Sequence, residues 1–167
     1  MTALATWSPC KRYRYTLRRQ GLQGMLDPGF AAIGFLLLNP STATEKKNDP
    51  TIRKCIGFAT RWGFAELVIV NVYAFCSTDP AGLWTVDDPV GPENDAAIAE
   101  VAGQVEKLVC GWGKHARSER IERVAELLVG REVFALAVNR DGSPQHPLYI
   151  PDSTELQRYK IRVAEVP

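Results

Sequence analysis

Two polar side chains stand where apolar runs stop. "FLLLNPSTA" (35–43) drives four apolar residues straight into Asn39-Pro40, followed by the hydroxyls of Ser41 and Thr42. Further on, "HPLYI" (146–150) sets His146 in a turn-rich stretch behind another apolar run. An amide orients a water or meets a base oxygen, and an imidazole donates a proton or stabilises a departing anion. Tyr73, Phe75 and Trp112 follow other apolar runs, so aromatic faces accompany the directed donors. That inventory suits a planar heterocycle, with stacking for the ring and hydrogen bonds for its edge. Each residue also has a plainer reading. Asn39 could tie the strand end to the loop at 41–49, and His146 could cap backbone groups ahead of Pro147. The only other histidine is His115, expected on the first turn of a helix.

A third group is basic. "KRYRYTLRR" (11–19) carries Lys11, Arg12, Arg14, Arg18 and Arg19 around Tyr13 and Tyr15, with no acid. Cations interleaved with aromatics suit a nucleic-acid backbone with stacked bases, and Arg12, Arg14 and Arg18 are the candidate phosphate contacts. The same pattern also describes an edge strand whose outward charges discourage aggregation.

The elements that must position these groups alternate along the chain. "AAIGFLLL" (31–38) is a short continuous apolar run, as in a strand covered on both faces. Asp49 is a natural N-cap, Pro50 suits the first helical position, and Ile52, Cys55, Ile56 and Ala59 share a face of a helix over about 50–62 that Gly63 stops. "LVIVNVYAF" (67–75) is a second strand. The stretch 76–92 holds three prolines and three aspartates and is long for a connector, which marks it as a functional loop. A helix opening at Pro92 follows, with Ile98, Val101, Ala102 and Val105 inward. "KLVCGW" (107–112) is a third strand. The next helix turns Ile121, Val124, Ala125 and Leu128 inward, pairs Glu119 with Arg123 on its surface and ends at Gly130. "EVFALAVN" (132–139) is a fourth strand. The last sixteen residues are expected to be peripheral, as a short strand, a short helix or frayed chain.

Strands alternating with helices predict one α/β domain over 1–167, with its core in 10–151 and a parallel sheet covered by helices on both faces. In such a sheet ligands bind beyond the carboxyl ends of the strands, where strand order reverses. Asn39 to Thr42, Tyr73 to Phe75, Gly111 to Gly113 and His146-Pro147 are therefore expected on one rim.

Bulk properties exclude several classes. The 167 residues are 46% hydrophobic and 23% charged, as in a globular protein, and the net charge of +1 makes the whole no magnet for nucleic acid. No export signal and no apolar run near a membrane span is visible, so a cytoplasmic protein without membrane contact is expected. Cys10, Cys55, Cys76 and Cys110 are widely spaced and read as packing thiols, neither disulfides nor a metal set; no metal or other cofactor is expected. The chain has no P-loop, no GxGxxG, no GxSxG, no HExxH and no zinc-deaminase signature.

"LLLNPSTATEKKNDPTIRKCIGFATRWGF", "VIVNVYAFCSTDP", "DPVGPEND", "VCGWGKHA" and "HPLYIP", in that order over about 10–151, resemble the bacterial family of domain of unknown function 1643. More distantly, "LLNPSTA", "LVCGWGKHA" and "HPLYI" are similar to the motifs of the uracil-DNA glycosylase superfamily, above all its mismatch-specific branch. That resemblance implies an α/β/α sandwich around a central four-stranded, mainly parallel sheet, and a hydrolase acting on the N-glycosidic bond of a nucleobase in DNA. It implies Asn39 as the water-positioning residue, Pro40 holding the turn, Phe58 or Tyr73 as a stacking surface, and His146 beside the departing base. Ser41 stands where that branch has glycine. Leu148 and Tyr149 replace its minor-groove wedge, which bears against duplex DNA as the substrate. Two other readings accompany it: a non-catalytic nucleotide or nucleic-acid binding module, and an enzyme on a free nucleotide or nucleoside.

Overall fold

The computed structural model describes residues 3–24 and 31–163. Seven strands form one mixed sheet: β1 (Ala3–Trp7), β2 (Arg14–Gln20), β3 (Ala32–Leu37), β4 (Glu66–Asn71), β5 (Lys107–Cys110), β6 (Val133–Ala135) and β7 (Gln157–Tyr159). Their spatial order is β1-β2-β4-β3-β5-β6-β7. The pairs β3–β4, β3–β5 and β5–β6 are parallel, while β1–β2, β2–β4 and β6–β7 are antiparallel. The expected four-stranded sheet is therefore corrected to seven strands with antiparallel margins. The additional strands were hidden for physical reasons. β1 is five residues long, β7 is three polar residues, and β2 carries arginines at positions that turn out to be covered. Nor is β2 an edge, because β1 pairs along its outer side.

Three α-helices connect the central strands: α1 (Pro50–Arg61), α2 (Asn94–Gln104) and α3 (Ser118–Leu127). Asp49 caps α1 by accepting the Ile52 N–H at 2.9 Å, and Pro50 takes the first turn, where its missing donor costs nothing. The buried stripe of α1 is Ile52, Cys55, Phe58 and Ala59; Phe58 takes the place expected of Ile56, which is half-buried. α2 opens at Asn94, two residues beyond Pro92. On α3 the expected Glu119–Arg123 pair does not form, because Arg123 reaches Asp95 and Glu126, both at 2.9 Å.

The sheet separates two apolar layers. Ile33, Phe35, Leu37, Leu67 and Ile69 pack with α1 on one face, while Leu36, Val68, Val70, Leu108 and Cys110 pack with α2 and α3 on the other. Side chains one residue apart on a strand point to opposite faces, so this alternation fixes the register of the whole centre. Each of these buried aliphatic or aromatic side chains contributes about 1.5–3 kcal/mol of transfer free energy. The segment after β7 continues to Val163, and 164–167 lie outside the described residues. No described helix is long and apolar enough to cross a membrane. The four cysteines are free, with Cys55 and Cys110 buried, Cys76 half-buried and Cys10 exposed.

Candidate functional site

The strand order gives the site its place. From β3 the chain passes to β4 on one side, then crosses to β5 on the other, so the order reverses at β3. Connections leaving in opposite directions open a crevice at the carboxyl ends of β3 and β5. A cavity of about 400 Å³ lies there, within the range of small-ligand pockets. The end of β3 contributes Leu37, Leu38 and Asn39, and the following loop adds Ser41 and Thr42. Asn71 comes from the end of β4, and Ser77, Thr78 and Pro80 from the long loop beyond it. β5 is followed by Trp112, Gly113 and His115, and the far wall is His146, Leu148 and Tyr149. The first turn of α1, with its cap Asp49, closes the side toward the α1 layer, and Arg14 enters from β2.

Asn39 has a divided role. Its Nδ2 donates to the Pro40 carbonyl at 2.9 Å and to the Ser77 carbonyl at 2.8 Å. Two carbonyl acceptors fix which way the amide points, and no described donor reaches Oδ1. The tie between strand end and loop thus exists, but it engages only the nitrogen, and it runs to the 77 loop rather than to 41–49.

His146 caps the short 3-10 turn Pro147–Tyr149 by accepting the Leu148 N–H at Nδ1, 3.3 Å away. An acceptor at Nδ1 places the proton of the neutral ring on Nε2, which meets no acceptor among the described residues. Burial lowers the histidine pKa below its ordinary 6.5, and the Asp49 carboxylate opposes that shift without cancelling it. The cavity wall is therefore a neutral donor near pH 7. Gly111 makes this closure possible: a Cβ there would sit 3.0 Å from Pro147 Cδ and 3.3 Å from Leu37 Cδ2. With glycine at 111 the 146–149 turn comes down over the end of β5 without its neighbours having to give way.

Two contributors escape a reading of residue types. Asn71 is 2% exposed and lines the cavity. It continues the Leu67, Ile69 alternation on the α1 face, where an apolar residue would otherwise be expected. Its position is held from behind: Asn94 Nδ2 donates to the Asn71 and Val72 carbonyls at 2.9 and 3.1 Å, and Arg120 Nε to Val72 at 2.8 Å. Asp49 is the second. Its Oδ1 caps α1, and it is the one carboxylate among the described residues that line the cavity.

Of the candidates named from sequence, Asn39, Ser41, Thr42, Trp112, His146, Leu148 and Tyr149 come together around the cavity. Pro40 is buried behind the wall, and its carbonyl accepts from both Asn39 and the Ser77 backbone. Trp112 is 3% exposed and packs edge-on against Tyr159, ring centres 6.1 Å apart, so it is wall rather than free platform. Tyr149 is 81% exposed at the mouth, 6.1 Å from the His146 ring.

Phe58 and Tyr73 are not part of it. Phe58 lies in the α1 core stacked on Trp62, 5.2 Å between ring centres. Tyr73 lies in the opposite layer, its hydroxyl accepting the Arg117 N–H at 3.0 Å. Phe75 pairs with Tyr13 in an isolated bridge. The three arginines also separate. Arg12 is exposed over the Phe75 ring, Arg18 pairs with Glu66 at 2.9 Å, and Arg14 is buried in the cavity wall. They form no common phosphate-facing row.

Within the described residues no cluster of His, Cys, Asp and Glu is arranged to hold a metal ion. No curated protein and no solved structure matches the chain. Residues 14–148 match the model of the family described as a protein of unknown function, DUF1643, and the chain belongs to that family.

Proposed function

We propose that the cavity binds a nucleobase-bearing ligand and hydrolyses its N-glycosidic bond. The observation that carries this reading is that Asn39 and His146, more than a hundred positions apart in sequence, line one base-sized cavity with complementary uncommitted atoms. Water attacks the anomeric carbon while the carbon–nitrogen bond breaks and its electrons pass to the base. Asn39 Oδ1 accepts a hydrogen bond from the attacking water and orients it. The Asp49 carboxylate, beside the same cavity, takes the proton that an amide cannot accept. His146 Nε2–H donates to the base as it gains negative charge, and the Asn71 amide is available to the base edge. Tyr149 at the mouth offers a ring face to a stacked base.

The likeness of "LLNPSTA", "LVCGWGKHA" and "HPLYI" to the uracil-DNA glycosylase superfamily supports the same chemistry, since the first two run out of the carboxyl ends of the parallel strands β3 and β5 and the third lines the same cavity. The departures at Ser41, Leu148 and Tyr149 remain, and a surface row of Arg12, Arg14 and Arg18 is not available to a duplex backbone. A small ligand or a single strand fits these features better than a duplex.

The test is release of free base, followed chromatographically, from a panel of nucleosides, nucleotides, and single- and double-stranded oligonucleotides containing uracil or mismatches. Release that disappears in Asn39→Ala and Asp49→Asn supports the reading. Binding without release from any member of the panel leaves a binding module in its place.

A further inference from the structure

The geometry points to an anion subsite at Arg14, so that the ligand of this cavity carries a phosphate group as well as a base. This inference rests on the base-binding reading of the same cavity. Its starting point is a β-bulge. Thr6 pairs with Thr16, but the next pair is Trp7 with Arg14, leaving Tyr15 without an opposite residue. In an unbroken strand Arg14 would share the face of Thr16 and Arg18, and Arg18 reaches α2 through Gln104. The extra residue reverses that parity and turns Arg14 to the α1 face, where its Nη1 donates to the Ala43 carbonyl and the side chain lines the cavity. Re-aiming one side chain at a site is a recurrent use of a bulge.

Comparison with the other buried arginines shows what is unusual. Arg19, 2% exposed, donates from each of its three nitrogens, to Asn48 Oδ1, the Arg18 carbonyl and the Thr44 carbonyl, and it pins the 44–48 loop. Arg120, 7% exposed, is paired with Asp95 at 2.6 Å. Arg14, 2% exposed, has one carbonyl partner, an Nε with none, and no ion pair among the described residues. A guanidinium remains charged at any ordinary pH, so this cation is buried with the Asp49 and Glu45 carboxylates near enough to favour its charge but with none in ion-pair contact among the described residues. Asp49 lines the same cavity, but its Oδ1 is committed to the Ile52 N–H and it forms no ion pair with Arg14. Asn71, 2% exposed, is a second buried polar residue lining the same cavity. A guanidinium fork of this kind matches a phosphate through two parallel hydrogen bonds, and the exposed Ser41 and Thr42 supply hydroxyl donors at the cavity.

The phosphate can be the monoester of a free nucleotide or a diester within a strand, and calorimetric titration distinguishes them. The probes are a pyrimidine nucleoside, its 5′-monophosphate and a short single-stranded oligonucleotide. The monophosphate is expected to bind about tenfold or more tightly than the nucleoside, the low end for a charge-assisted hydrogen bond. That advantage should vanish in Arg14→Met and survive in part in Arg14→Lys, which keeps the charge should the first variant fold poorly. An oligonucleotide that outbinds the monophosphate assigns the subsite to a strand; the reverse assigns it to the free nucleotide. Equal affinity of nucleoside and monophosphate, no binding of either, or a phosphate advantage untouched in both variants overturns the subsite. Base release with no phosphate preference would leave the hydrolytic reading standing alone. Phosphate-dependent binding without release would do the opposite.

Discussion

Replacing Asn94 by leucine tests how the end of β4 is held in place. Asn94 is fully buried, and its Nδ2 is the only described side-chain donor to the Asn71 carbonyl, at 2.9 Å. Val72 O is in a different position, because Arg120 Nε also reaches it at 2.8 Å. Leucine keeps the number and branching of asparagine's side-chain heavy atoms, so the principal loss is the donor. Leaving one buried carbonyl unsatisfied costs about 1–3 kcal/mol, and the second lost bond adds about 0.5–1 kcal/mol because its acceptor keeps a partner. A small offset comes from removing Asn94 Oδ1, itself buried without a donor. The net expectation is about 2 kcal/mol of destabilisation, or a melting temperature lower by about 4–8 °C for a domain of this size. Urea unfolding with an unchanged m-value measures it. The same variant should weaken ligand binding, because Asn71 stands on the carbonyl that has been released. A loss under about 0.5 kcal/mol, the ordinary range for surface substitutions, would refute the claim that Asn94 is what fixes this strand end.

Two further predictions follow from ionisation. His146 has a folded pKa below its ordinary 6.5, so the unfolded chain binds the proton more readily; its contribution to stability is complete above pH 6.5 and is lost as pH falls from there through the lowered value. Wild type should therefore lose stability over that acidic window relative to His146→Gln, measured by urea melts at stepped pH, and parallel curves would contradict it. For the thiols, a hydrogen bond from Ser8 and the neighbouring backbone lower the Cys10 pKa, whereas burial raises those of Cys55 and Cys110 strongly. A disulfide reagent should label the exposed Cys10 first and the half-buried Cys76 more slowly, reaching Cys55 and Cys110 only on unfolding. Native labelling of either buried thiol would show that the core is open.

What could be read from the chain, and what could not, divides along physical lines. β3 and α1 were legible because each is announced twice: a continuous apolar run ending on Asn39-Pro40, and a 3.6-residue stripe opened by Asp49-Pro50. Asn71 was hidden inside "LVIVNVYAF", where the β-branched residues suggest a strand to 75 although β4 stops at 71. Composition does not show where a ladder ends, so the polar residue at that end looked like an interruption. Period-two counting puts Arg14 on the face of Arg18, and no sequence feature marks the bulge at Tyr15 that turns it inward. Residue type and resemblance suggest Phe58 and Tyr73 as stacking surfaces. Both are core residues, on opposite faces of the sheet. The marginal strands β1 and β7 are too short to build a period.

The central claim is that the hollow between Asn39, Asn71 and His146 receives a nucleobase. A crystal structure with a C-nucleoside monophosphate, whose carbon–carbon glycosidic bond cannot be hydrolysed, tests it most directly. The account predicts the base plane inside this cavity, with His146 Nε2 and an amide of Asn39 or Asn71 within hydrogen-bonding distance of its edge. Density for the ring at any other surface, with the cavity holding only solvent, would contradict it.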